Sequence, residues 1–164
     1  MDNQIGNLFL RFSSEKLEQM TSFLTSCMNR LTDEQVWERQ GAHENTAGNL
    51  ILHLSGNMRQ WIMHGVGGAA DVRVREKEFS TGSGMTRDDL IALFEETVRE
   101  ARGVIETLPV ERLVEKTFPQ GREVTRLEAI YQVVGHVQQH VGQIILLTKQ
   151  MCGTDLDLTM PRPR

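Results

Sequence analysis

The apolar residues of this chain recur at steps of three and four in four separate stretches, and that period commits it to helices. The most apolar stretch carries Ile130, Val133, Val134, Val137, Val141, Ile144, Ile145 and Leu147. Ahead of it, Thr125-Arg126-Leu127-Glu128 has the form of a capping box, in which side chains at both ends satisfy the first free backbone N–H groups. Gly153 offers a stop just after Met151. The first stretch, from about residue 3 to 30, repeats Ile5, Phe9, Phe12, Met20, Phe23, Leu24, Cys27 and Leu31 and leaves Arg11, Glu15, Glu18 and Asn29 to solvent. The second is capped by Asn45 or Thr46, buries Leu50, Leu54, Met58, Trp61 and Ile62, and ends near Gly65. The third starts at Thr86 with Asp88 and Asp89 in its first turn. It aligns Leu90, Phe94, Val98, Ala101, Ile105 and Leu108, and stops at Pro109.

No strand pattern competes. The expected fold class is therefore all-α, an antiparallel four-helix bundle, and the 164 residues suit a single domain over 1–164. The connectors are Thr32–Glu44, with a short helical turn expected at Asp33–Glu38, and Gly65–Gly84, where no helical period persists. A third, Leu113–Val124 around Pro119-Gln120-Gly121, reads as a short hairpin or a loop. A structureless connector as long as Gly65–Gly84 is unusual in a compact domain, and it is expected to border a site mouth or a subunit interface. Its Arg73, Arg75 and Glu78 read as solvated.

Charge and cysteine usage narrow the function. The formal net charge is -4, with acidic and basic residues interleaved and no basic stripe, so no nucleic-acid partner is expected. The tail Pro161-Arg162-Pro163-Arg164 is too short to make one. No run approaches the length of a membrane span, and Met1-Asp2-Asn3-Gln4 does not open a secretory signal. Two cysteines, Cys27 and Cys152, lie far apart in no C-x-x-C pattern, which suits free thiols in a reducing, cytoplasmic setting.

His136 and His140 stand four residues apart on the apolar helix, so both imidazoles can converge on one ion. Gln143 continues that face. His53 sits in the middle of the second helix among leucines, where a histidine is a buried ligand, a hydrogen-bonded core group or a rim residue. Asn49 and Asn57 flank it at four residues on either side and could orient its ring. His43 and His64 read as exposed.

The run Asn45-Thr46-Ala47-Gly48-Asn49-Leu50-Ile51-Leu52-His53-Leu54, continuing through Gly56-Asn57-Met58-Arg59-Gln60-Trp61-Ile62, resembles the second-helix signature of the DinB-like (YfiT-like) superfamily. Gly135-His136-Val137-Gln138-Gln139-His140-Val141-Gly142-Gln143-Ile144 is similar to that superfamily's fourth-helix motif. The resemblance covers nearly the whole chain and looks closest to an uncharacterised branch. It implies an up-down-down-up bundle whose three metal-ligand histidines are His53, His136 and His140. Zinc or nickel is the expected divalent ion, since both accept imidazole and sulfur ligands. The resemblance also implies a small-molecule substrate, because members include transferases and isomerases that use thiols such as bacillithiol or mycothiol. A homodimer is the expected assembly.

Three imidazoles without a fourth protein ligand leave a position open, which is a catalytic rather than a structural arrangement. The leading expectation is a metal-dependent enzyme that transfers a low-molecular-weight thiol to an electrophile. A metal-dependent hydrolase is the alternative, and a non-catalytic metal-binding stress protein a third. No Asp or Glu stands at helical spacing beside the three histidines, so no general base is apparent, which favours thiol chemistry.

Overall fold

The computed structural model describes residues 2–39, 41 and 43–158; the arginine-containing tail at 161–164 lies outside them. Four long helical segments make the body: α1 (Asp2–Met28), α2 (Ala47–Met58) with its continuation, α4 (Arg87–Glu106) and α5 (Arg126–Cys152). The six-residue α3 (Arg75–Ser80) lies between α2 and α4.

Local chemistry sets the ends of these helices. The Thr46 hydroxyl accepts from the Asn49 N–H at the start of α2. Thr86 with Asp89, and Thr125 with Glu128, each form a complete capping box on α4 and α5. Gly153 ends α5 in the left-handed region at φ 64°, where a side chain would be strained. From Arg59 to Val66 the chain leaves α-geometry and winds as a π-helix, shown by Gly67 N–H donating five residues back to the Ile62 carbonyl at 2.8 Å.

Cross-links between side chains give the helix directions. Ser14 and Arg102, Glu18 and Arg102, and Thr25 and Glu95 meet in reverse order, so α1 and α4 are antiparallel. Cys152 reaches the Arg30 carbonyl just past the end of α1, so α1 and α5 run the same way. His53 meets His136, and Arg126 at the start of α5 bonds the Val66 carbonyl, so α2 runs against α5. Along the chain the four long helices run up, down, down, up. α1 and α2 are diagonal, each packed on both α4 and α5.

The core between them includes Leu17, Leu24, Met28, Leu54, Met58, Phe94, Ile105, Val137 and Ile144, all fully buried. The expected stripe of α4 holds, with Leu90, Phe94, Val98, Ala101, Ile105 and Leu108 all buried. That of α5 holds at Ile130, Val133, Val137, Val141 and Ile144, while Val134, Ile145 and Leu147 are partly buried at its edges. The stripe expected in the first half of α1 does not hold. Ile5 and Phe12 are 66% and 60% exposed, whereas Gly6, Leu10, Ser13, Ser14 and Leu17 face inward. Small and hydroxyl residues carry no hydropathic signal, yet they fit here because Val110 and Leu113 crowd Gly6 and because Ser14 bonds Arg102 and Glu106.

One connector is more ordered than expected, and another takes one of its two expected forms. Gly65–Gly84 contains α3, and Leu113–Val124 forms the hairpin alternative, with β1 (Lys116–Thr117) antiparallel to β2 (Val124–Thr125). The expected turn near Asp33–Glu38 is a 3-10 turn over Gln35–Trp37. No described helix is long and apolar enough to cross a membrane.

Candidate metal centre

α2 and α5 cross so that His53, His136 and His140 face one point. One ligand nitrogen from each lies within 4.8 Å of the others. The Nε2 atoms of His53 and His136 are 2.9 Å apart, and the rings of His136 and His140 pack edge to face at 4.4 Å between centroids. Two nitrogens each about 2.0–2.1 Å from a zinc ion are about 2.9 Å apart at a right angle and about 3.4 Å apart at a tetrahedral one. The His53–His136 spacing fits that range; the three nitrogens as a set lie within 4.8 Å, so the ring farther out must move inward to share an ion. The 2.9 Å contact between His53 Nε2 and His136 Nε2 is satisfied either by one ring proton or by a shared cation, and three imidazole nitrogens turned to one point are a donor set that fits a metal.

Hydrogen bonds on the far side of two rings select the tautomer. His53 Nδ1–H donates to Glu78 Oε2 at 2.9 Å, leaving Nε2 as the free donor atom. His140 Nδ1 donates to Gln143 Oε1 at 2.6 Å, with the same consequence. Burial first, and the neighbouring His140 and His53 second, push the His136 imidazole down to about 4. Burial also lowers His140, partly opposed by its bond to Gln143. Both rings are therefore neutral near pH 7, as metal ligation requires.

Glu78 is the partner that sequence reasoning missed. It is held from the other side by Arg73, whose Nε and Nη2 donate to Oε1 and Oε2 at 2.7 and 2.9 Å. The side chains of Arg73 and Glu78 are only 2% and 8% exposed, so neither is solvated as expected. Burial pushes the Glu78 carboxyl up, but the bonds from Arg73 and His53 outweigh it and hold the group below the usual carboxylate range. Arg73 Nη2 also lies 3.2 Å from His53 Nδ1; both are donors, so they share the carboxylate rather than bond each other.

The flanking asparagines do not orient His53. Asn49 Nδ2 instead donates to the carbonyls of Glu78 and Thr81, at 2.9 and 2.6 Å, and so ties α3 to α2. The one signal in sequence was Gly56. A Cβ there would stand 2.1 Å from Glu78 Oε1, so the helix surface must be bare for the carboxylate to reach His53. His43 is exposed and lines a separate depression beside Gln143 and Leu147. His64, expected to be exposed, is half-buried with Nδ1 bonded to the Ala69 carbonyl at 2.7 Å.

The cluster opens into a pocket of about 570 Å³ lined by His53 and His136 together with Asn57, Gln60, Trp61, Arg73, Arg75, Gln120, Arg122 and Gln132. The connector 65–84 thus borders the site, through Arg73 and Arg75. The walls are polar and basic rather than apolar.

A helical bundle with three convergent imidazoles and an open approach defines a class of protein able to hold a metal ion at a reactive position. Residues 4–164 match the family described as "Protein of unknown function (DUF1572)", and the chain belongs to it. The fold is that of DinB-like proteins. A DinB-like protein from Bacillus cereus ATCC 10987 superposes with a TM-score of 0.68 at 17% identity, over 87% of this chain and 90% of that one. A conserved protein from Enterococcus faecalis superposes at 0.72 with 13% identity, over 88% and 97%. The mycothiol-dependent maleylpyruvate isomerase is similar at 0.65 and 18% identity, over 82% of this chain but 60% of that one. No curated protein sequence matches the chain.

Proposed function

We propose that the chain is a metal-dependent enzyme in which His53, His136 and His140 hold one divalent ion, zinc or nickel, and a cellular thiol is transferred to a small electrophile. The observation that carries this reading is the triad itself, three convergent imidazoles beside an open pocket that His53 and His136 line, with no fourth His, Cys, Asp or Glu in the cluster among the described residues. When bound, the ion would supply positive charge that favours the thiolate over the thiol.

The chain's own residues do the rest. Glu78 keeps the proton on His53 Nδ1, and Gln143 does the same for His140, so that both rings present Nε2 inward. Arg73 fixes Glu78 and balances its charge. Thiol chemistry is favoured over hydrolysis because no Asp or Glu is among the residues lining the pocket. Glu78 is close, yet both of its oxygens are already taken by Arg73 and His53, which leaves it unsuited to accept a proton from water. Similarity in fold to a mycothiol-dependent isomerase supports the same reading.

Metal analysis of untagged protein is expected to find about one divalent ion per chain, since imidazole sites of this type take zinc and nickel well. The ion should be lost in folded His136→Ala and His140→Ala. A cobalt-substituted sample should gain a sulfur-to-metal charge-transfer band with a cellular thiol, and His53→Ala should not. Full metal content in both single variants refutes the ligand assignment. Turnover of simple esters, with no thiol altering the cobalt spectrum, replaces transfer with hydrolysis.

A further inference from the structure

The pocket beside the histidines carries features that metal binding does not use. Its lining includes three arginines and no carboxylate. Arg73 is committed to Glu78, but Arg75 and Arg122 have no ion-pair partner among the described residues; Arg75 only rests its guanidinium 5.4 Å from the Phe79 ring centroid. The two come from separate parts of the chain, the start of α3 and the turn before β2, and meet at one opening.

The wall behind them departs from relaxed geometry in several places. The π-helix Arg59–Val66 supplies Gln60 and Trp61, and π-turns are infrequent and concentrated at functional sites. Gln120 adopts φ 54°, a left-handed conformation unfavourable for a side chain, and from there its Nε2 donates to Gln60 Oε1 at 2.8 Å. Trp61 and Asn57 are 5% and 9% exposed, yet Trp61 Nε1–H and Asn57 Oδ1 find no hydrogen-bond partner. Unpaired buried polar atoms are rare, and two of the four among the described residues belong to side chains of this one wall.

We propose that this pocket seats a small organic acid, with its carboxylate taken by Arg75 and Arg122 and its body against the amide-rich wall of Asn57, Gln60 and Gln120. A guanidinium fork matches the planar edge of a carboxylate with two parallel N–H···O bonds, and an unpaired fork at a pocket mouth attracts such an anion. The inference rests on the reading of this pocket as the substrate site beside the metal ligands, and it names the chemical class that the site selects.

The probe is succinate, titrated calorimetrically into the protein as purified, with neutral succinamide and inorganic phosphate as comparisons. Succinate is expected to bind, succinamide not, and phosphate more weakly than succinate. Both arginines are exposed, so Arg75→Gln/Arg122→Gln folds, and it should weaken succinate by about tenfold or more. His140→Ala, which removes a metal ligand, should leave succinate binding in place. The proposal is overturned if succinate gives no heat, if the double variant binds it as the parent does, or if phosphate binds more tightly. It is also overturned if His140→Ala abolishes binding, since the carboxylate would then be a metal ligand only. Succinate binding without any thiolate band would remove the thiol reading and leave this one standing; the reverse pattern would remove this one alone.

Discussion

Replacing Glu78 with alanine separates what the carboxylate does for the metal site from what it does for the fold. Glu78 accepts three bonds: two from Arg73 at 2.7 and 2.9 Å, and one from His53 Nδ1 at 2.9 Å. With the carboxylate gone, the Arg73 guanidinium, 2% exposed, keeps a bond to Gln60 Oε1 at 2.9 Å and loses its direct ion pair, leaving Asp71 as a counter-charge it does not bond through its side chain. Breaking a buried pair by removing one partner costs about 3–5 kcal/mol. His53 meanwhile loses the acceptor that selects its tautomer and ring angle, and loss of such an outer partner lowers metal affinity by about 10–100-fold, or about 1.4–2.7 kcal/mol. Glu78→Gln retains one carbonyl oxygen, which can serve His53 or Arg73 but not both, so it should lie between the parent and Glu78→Ala in both respects. Urea unfolding of metal-free protein reads the first quantity, and competition with a chromogenic chelator reads the second. Gly56→Ala is a companion that leaves His53 and Glu78 themselves unsubstituted. Helix propensity alone makes alanine better by about 1 kcal/mol. The new Cβ, 2.1 Å from Glu78 Oε1, must instead displace the carboxylate, so the variant should lose both stability and metal affinity. Parental metal affinity in folded Glu78→Ala, or a more stable Gly56→Ala, would refute the argument that this contact orients His53.

Metal-free protein should become less stable as pH falls. His136 is pushed down to about 4 and His140 is lowered as well, so the unfolded chain, where both lie near the usual 6.5, binds more protons. The stability these groups contribute is present above about pH 6.5 and lost as pH drops toward about 4, which urea midpoints at several pH values will record. A midpoint that does not move over that window contradicts the burial of the pair. Burial pushes the Cys27 thiol up to about 11, while Cys152 is only half-buried, so a thiol reagent at pH 8 should label Cys152 first. Mapping the labelled peptide checks this, and equal labelling of native protein would count against the packing of α1 on α5.

What the sequence determined by itself is whatever depends on neighbours within a turn or two. The 3.6-residue period placed α4 and α5 on Phe94, Ile105, Val137 and Ile144, and the boxes at Thr86 and Thr125 located their first turns, because a cap is made by residues three apart. The spacing of His136 and His140 likewise assured that their rings share a face. In the first half of α1 the same logic chose Ile5 and Phe12, since hydropathy counts apolar atoms and cannot register a helix surface kept small by Gly6, Ser13 and Ser14 for a close approach. The tertiary structure alone decided which groups meet across elements. His53 finds Glu78 twenty-five residues away, and Arg73 and Glu78, five apart and not at helical spacing, become a buried pair only once α3 docks on α2. Arg75 and Arg122 reach one pocket only because Thr117 and Arg126 tie the hairpin and the start of α5 to the end of the π-helix. Local torsional and capping energies act along the chain and so leave a periodic trace in it; these contacts are set by how rigid helices pack, and nothing near any one residue encodes its partner.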